Sequence, residues 1–191
     1  MSDKNISRFP IPKLEDIPTD IREKMMAVQE KTGFIPNVFL AMAGRPEECR
    51  AFFMYHDFLM YKESGLTKGE REMIVVTTSA LNECLYCVIS HGAVLRIREK
   101  NPFIADQLAN NYRKAAITPR QRAMLDFAIK VSRNSHEIED SDYEKLATYG
   151  FSQDDIWDIG AVAAFFAMSN RMANMASMMP NQEFYSMGRG E

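Results

Sequence analysis

Two cysteines and a histidine fall within one short run, Glu83-Cys84-Leu85-Tyr86-Cys87-Val88-Ile89-Ser90-His91. If the run is helical, thiols at i and i+3 share a turn, and a histidine at i+4 from Cys87 lies on the same face. One thiol can then ionise and attack while the other resolves the product, so thiol redox chemistry is the first hypothesis. A free thiol is mostly protonated at neutral pH, and only the thiolate attacks. Asn82 is placed to cap the helix, which puts Cys84 in the first turn, with Cys87 one turn on. Unpaired N–H groups and the positive end of the helix dipole stabilise an anion there. A protonated His91 adds an opposite charge near Cys87, and a neutral one accepts the thiol proton. Both routes favour a thiolate at Cys87.

Glu72 is the second candidate. Thr67-x-x-Glu70 reads as a capping box that occupies Glu70, and Glu72 is offset from it by about 200° around the helix. A very short turn joins helix 67–80 to helix 83–99, so the two pack as an antiparallel pair. That packing can bring Glu72 to His91, where a partly buried carboxylate orients the imidazole and accepts a proton. The alternative for Glu72 is a solvated first-turn carboxylate. Zinc is the rival reading of the cysteines, but Cys84, Cys87 and His91 supply three ligands where a structural site takes four. His56 shares an apolar stripe with Cys49 and Phe52 and reads as a core histidine. A place beside the site is its alternative, so it joins Tyr86 as a candidate relay or pocket residue. Cys49 reads as a small buried hydrophobe.

The gross numbers exclude several classes. The chain has 191 residues, 46% apolar and 26% charged, with a net charge of −3. That balance carries no basic stripe and excludes nucleic acid as a partner. The stretch Met1–Lys13 is polar and has no apolar segment of the secretory kind. The longest apolar run, Ile159–Met168, is about half a membrane span. These features predict a soluble, cytoplasmic protein without a membrane partner. Three cysteines and no export signal argue against a structural disulfide framework.

The punctuation predicts an all-α fold in one unit, residues 1–191, with a redox core at 66–100, C-terminal helices at 118–179 and a tail at 180–191. Thr19-Asp20 opens a helix that Gly33 stops, and a short apolar helix follows, ending near Gly44. Pro46 starts a helix that ends before Gly65. The cysteine helix runs to about Lys100, and Pro102 begins the next. Thr118-Pro119-x-Gln121 repeats the capping box, and Ser152-x-x-Asp155 is a weaker form. Helices are predicted at 119–134, 141–149 and 153–178, with Pro180 ending the last. The recurring layout hints at a weak internal duplication. Met168, Met172, Met175 and Met179 form a core or subunit-interface stripe. Asn170-Arg171 reads as a buried hydrogen-bonding pair that braces helix ends.

The spacing of Glu72, Cys84, Cys87 and His91 resembles the pattern E-x(11)-C-x-x-C-x-x-x-H of the AhpD-like alkylhydroperoxidases, within the carboxymuconolactone decarboxylase superfamily. Four outer segments resemble its peroxidase-related branch: Gly33 to Phe39, Arg45-Pro46-Glu47, Asn170 to Asn174, and Glu183 to Arg189. The resemblance implies an AhpD-like helical bundle that assembles as a homo-oligomer, a dimer, trimer or hexamer, and works without a cofactor. It implies that Cys87 is the peroxidatic nucleophile and Cys84 the more exposed resolving thiol. Cys84 would also receive electrons from an external dithiol, lipoyl-type or a thioredoxin-like protein. Glu72 and His91 would form the proton relay. The family pattern has a histidine where this chain has Tyr86, and a phenol passes a hydrogen bond without titrating near neutrality.

The reaction so implied is thiol-dependent reduction of a small hydroperoxide. The alternatives are a thiol–disulfide oxidoreductase with little peroxide activity, a lactone decarboxylase that does not need paired thiols, and a non-enzymatic redox-sensing oligomer.

Overall fold

The structure, a computed structural model, describes residues 6–190. Met1–Asn5, where the polar N-terminal stretch begins, and Glu191, the last residue of the tail, lie outside the described residues. Ten α-helices follow one another, and no strand occurs among the described residues. They are α1 (Thr19–Thr32), α2 (Asn37–Met42), α3 (Pro46–Tyr61), α4 (Lys68–Leu81), α5 (Leu85–Glu99), α6 (Ile104–Asn111), α7 (Pro119–Asn134), α8 (Asp140–Thr148), α9 (Gln153–Met175) and α10 (Glu183–Ser186). No helix among the described residues is long and apolar enough to cross a membrane.

Helix α4 is the hub, packed on α5, α6, α7 and α9. Every residue from Gly69 to Ser79 is buried, which is why the run Met73-Ile74-Val75-Val76 is apolar on all sides rather than striped. Each of those side chains contributes about 1.5–3 kcal/mol through burial. The β-branched stretch is held helical by this packing, and the Thr78 hydroxyl is satisfied by donating to the Ile74 carbonyl at 2.8 Å. The capping boxes at Thr67, Thr118 and Ser152 are all complete. The last is therefore as fully formed as the others, not weaker.

Four boundaries differ from the sequence reading. Asn82 does not cap the cysteine helix; it ends α4, and Cys84 is itself the N-cap of α5. The Glu83 N–H donates to the Ala80 carbonyl and the Cys84 N–H to the Ser79 carbonyl, with Glu83 left-handed at φ 51. This is a Schellman closure without glycine. Helix α9 ends the same way, with Ser177 at φ 50 and Met178 bonded back to Ala173, so it stops at Met175 rather than running to 178. Helix α6 starts at Ile104 rather than Pro102. The tail contains α10, which docks on α5: buried Arg96 donates to the Phe184 and Met187 carbonyls at 2.7 and 2.8 Å.

The methionine stripe is not core: Met168, Met175 and Met179 are exposed, and Met172 is half-buried. Cys49 is buried among apolar side chains, as its composition suggested.

Candidate active site

The three-residue turn Asn82–Cys84 folds α5 back along α4. The antiparallel pairing sets Gly69 against Glu99 and Glu72 against His91. The Glu72 Oε2 atom lies 2.7 Å from His91 Nδ1, and both side chains are largely buried. A carboxylate there holds the proton on Nδ1, fixes the ring, and leaves Nε2 free to exchange protons. The edge of the ring packs against Phe166 of α9, with centroids 4.8 Å apart.

Cys84 and Cys87 are reduced and buried, with exposures of 1% and 2%. Cys84 is thus no more exposed than Cys87, contrary to what the resemblance implies, because the turn before it is closed and α9 covers both sulfurs. Each thiol acts on the ionisation of the other. The hydrogen bond from the Cys87 thiol, assisted by the Cys87 N–H, the Asn170 amide and the charge of His91, outweighs burial and brings Cys84 down to about 7. Cys87 is pushed well up, first by donating to Cys84, then by burial and by the Cys84 charge. The two thiols therefore titrate as a unit, with Cys84 drawn down and Cys87 pushed up. The sequence reading favours a thiolate at Cys87, whereas the influences that favour an anion fall more heavily on Cys84. The N-cap position belongs to Cys84, so the amides and His91 act there.

Two residues of α9 that were not singled out as site residues complete the surroundings. The Ser169 hydroxyl lies 4.0 Å from Cys87 Sγ. Asn170 is fully buried, donates to Ser79 Oγ at 2.9 Å and accepts from Asn82 Nδ2 at 3.0 Å. Its amide also favours charge on either sulfur. It braces the end of α4 as the sequence suggested, but alone, since Arg171 is exposed and bonds only the Ala167 carbonyl. The polar Asn170 on an otherwise thin, apolar helix was the available signal; Ser169 offered none.

Tyr86 is buried, and its oxygen accepts from the Val38 N–H at 3.1 Å. Burial pushes its phenol up, so it pins α2 to α5 and keeps its proton. Beside it is a cavity of about 130 Å³ lined by Val38, Met42, Tyr86, Ser169, Met172 and Met178, among others. Ser169 of the cavity wall is the residue that lies beside Cys87, and neither sulfur lines the cavity itself. His56 is at the edge of the core rather than within it, its ring centroid 6.2 Å from that of His91. Among the described residues, no group of three or more His, Cys, Asp or Glu side chains is placed to hold a metal ion.

Comparison with known proteins fixes the family. Residues 46–102 match the carboxymuconolactone decarboxylase family. A solved structure described as an alkylhydroperoxidase AhpD core, an uncharacterized peroxidase-related protein from Ralstonia eutropha JMP134, is 62% identical over 97% of each chain, with a TM-score of 0.96. The chain belongs to the AhpD-like, peroxidase-related branch of the carboxymuconolactone decarboxylase family. A second uncharacterized peroxidase-related protein, from Silicibacter sp. TM1040, is 41% identical over 98% of this chain and 97% of its own, with a TM-score of 0.92. The AhpD-like fold extends to the debrominase Bmp8, solved in complex with 2,3,4-tribromopyrrole as a variant. That chain is 17% identical over 95% of this chain and 97% of its own, with a TM-score of 0.76. No curated protein matches the chain.

Proposed function

We propose that this protein is a thiol-dependent hydroperoxide reductase. The observation that carries the reading is a pair of buried, reduced thiols at the start of α5, on the helix that also carries His91, an imidazole anchored by Glu72. The apolar cavity that reaches Cys87 through Ser169 favours an organic hydroperoxide over a polar one.

In this mechanism Cys87 passes its proton to the Cys84 thiolate as its sulfur attacks the peroxide. A sulfur–oxygen bond forms, the O–O bond breaks, and the departing alkoxide takes a proton from His91. The Cys84 thiol then condenses with the Cys87 sulfenic acid, forming a disulfide and releasing water. An external dithiol reopens the bond by exchange and is itself oxidised. The burial of both sulfurs favours a slender reductant such as a lipoyl arm over the face of a thioredoxin-like protein. Burial also argues against general thiol–disulfide exchange with protein substrates, and a lactone decarboxylation would leave the paired thiols without a task. Trp157, at 74% exposure, and Phe58, at 61%, support assembly as a homo-oligomer.

The test is hydroperoxide consumption with a dithiol by the wild type, Cys87→Ser and Cys84→Ser. Loss of turnover in both variants, with a sulfenic acid trapped on Cys87 in Cys84→Ser, supports the assignment. Undiminished turnover by Cys87→Ser removes it.

A further inference from the structure

We propose that His56 and Asp57 form a second carboxylate–imidazole dyad, which exchanges protons between His91 and solvent. The inference rests on the thiol-redox reading above. His56 lies on α3, outside the motif that carries the cysteines. Its Nδ1 is 2.9 Å from Asp57 Oδ1, and the other oxygen of Asp57 is held by Lys24 of α1. Burial raises Asp57, but hydrogen bonds from His56 and Lys24 outweigh it and keep the group a carboxylate. His91 is built the same way, with Glu72 on its Nδ1. Both imidazoles therefore carry the proton on the anchored nitrogen and present Nε2 for exchange. Among the described residues neither Nε2 has a hydrogen-bond partner.

The two rings are neighbours, tilted by 52° with centroids 6.2 Å apart, and in the proposed relay water carries the proton between them. Each imidazole side chain is 17% exposed, so each ring has only a narrow contact with solvent. The wall around them is apolar, formed by Phe52 of α3 and by Phe165 and Phe166 of α9. The ionisable groups facing His56 and its neighbours are Asp57 and Tyr61 of α3, Lys24 of α1, Glu72 of α4, and His91 and Arg98 of α5. Tyr61 stays a phenol, because burial and then the charges of Glu72 and Asp57 push it up, Arg98 opposing. Tyr86 likewise holds its proton and is tied to Val38. His56 is thus the ring that can relay next to His91. It acts through His91 rather than on the sulfurs, and so is a positioning residue.

The two half-reactions are separated in time, so between them His91 is short of a proton that solvent can supply. His91 gives a proton to the departing alkoxide and must recover one when the external dithiol loses its own. The test is His56→Asn, whose amide can still donate to Asp57 but lacks the distal nitrogen. Peroxide turnover at neutral pH should fall about tenfold, less than for a direct acid–base group. The loss should be restored by imidazole added to the buffer, with KM for the peroxide unchanged. Wild-type turnover in His56→Asn, or a deficit that imidazole does not relieve, overturns the proposal. If the wild type itself consumes no peroxide, the peroxidase reading fails separately. The same comparison is then made on the rate at which dithiothreitol reopens the Cys84–Cys87 disulfide. An imidazole-relieved deficit there sustains the relay, and an unchanged rate overturns it.

Discussion

Removing the Cys87 thiol should raise the acidity constant of Cys84 and show which sulfur holds the resting charge. The largest influence lowering Cys84 to about 7 is the hydrogen bond from the Cys87 thiol, and burial opposes it. In Cys87→Ala that donor is gone while burial stays, so Cys84 should return to the ordinary thiol value of 9.0 or above. At pH 7 the thiolate fraction then falls from about half to about 1%, roughly fiftyfold. A more basic thiolate is intrinsically more nucleophilic, by about eightfold over such an interval. The alkylation rate should therefore drop only about sixfold. The two quantities are read separately, the fraction from the ultraviolet absorbance of the thiolate across a pH series and the rate from trapping with a small alkylating agent. In Cys84→Ala the low step should disappear, because the influences that favour an anion converge on Cys84. A titration near neutrality that survives in Cys84→Ala but vanishes in Cys87→Ala would place the charge on Cys87 and refute the reasoning.

Glu72→Gln keeps a hydrogen-bonding group beside His91 but removes the charge that fixes its proton. Turnover with peroxide and dithiol should fall by about a hundredfold, with the thermal melt nearly unchanged. Asp158→Ala leaves fully buried Arg71 without its carboxylate, 2.9 Å away in the wild type, and should cost about 3–5 kcal/mol in denaturant unfolding. Burial raises Asp158, but hydrogen bonds from Lys62, Arg71 and Ser64 outweigh it and hold the carboxyl below 3.8. Its stabilising effect is complete above the carboxylate range of the unfolded chain and is lost as pH falls through the lowered folded value. The acid unfolding curve of Asp158→Ala should therefore be flatter in that window. Tyr86→Phe strips the Val38 N–H of its acceptor and should lower stability by about 1–3 kcal/mol. The ultraviolet titration of the thiols should be unaffected, and a shifted titration would show that the phenol takes part in their chemistry.

Much of this arrangement was legible because the sequence carries the physical devices that produce it. Gly33, Pro46, and the boxes at Thr67 and Thr118 mark helix ends with residues whose conformational needs are unambiguous. The Glu72–His91 contact followed from a turn too short to allow anything but an antiparallel pair. The ends that were misread are closed by left-handed residues that are not glycine, Glu83 and Ser177. At such positions tertiary packing holds a conformation that costs about 1–2 kcal/mol, and local sequence gives no sign of it. That one unrecognised closure moved the N-cap from Asn82 to Cys84, and with it the site of the anion. Ser169 and His56 were not assignable for a different reason. They reach the site from α9 and α3, and helix periodicity does not reveal which neighbour a face will meet.

The placement of the two sulfurs gives the proposed mechanism its division of labour. Cys84 is fixed by two helices at once, as the last residue of the α4 closure and the N-cap of α5. It is therefore the better place to store charge and the worse place to receive a substrate. Cys87 is one turn on, beside Ser169 of the cavity wall, and is pushed up first by Cys84 and then by burial. In the proposed mechanism a proton passed from Cys87 to Cys84 moves the anion to the sulfur beside the cavity wall only as attack begins. A resting thiolate facing the cavity would be exposed to any small oxidant that entered. Holding it one proton transfer away ties reactivity to the arrival of a substrate that fits, and this is what an enzyme selective for organic hydroperoxides requires.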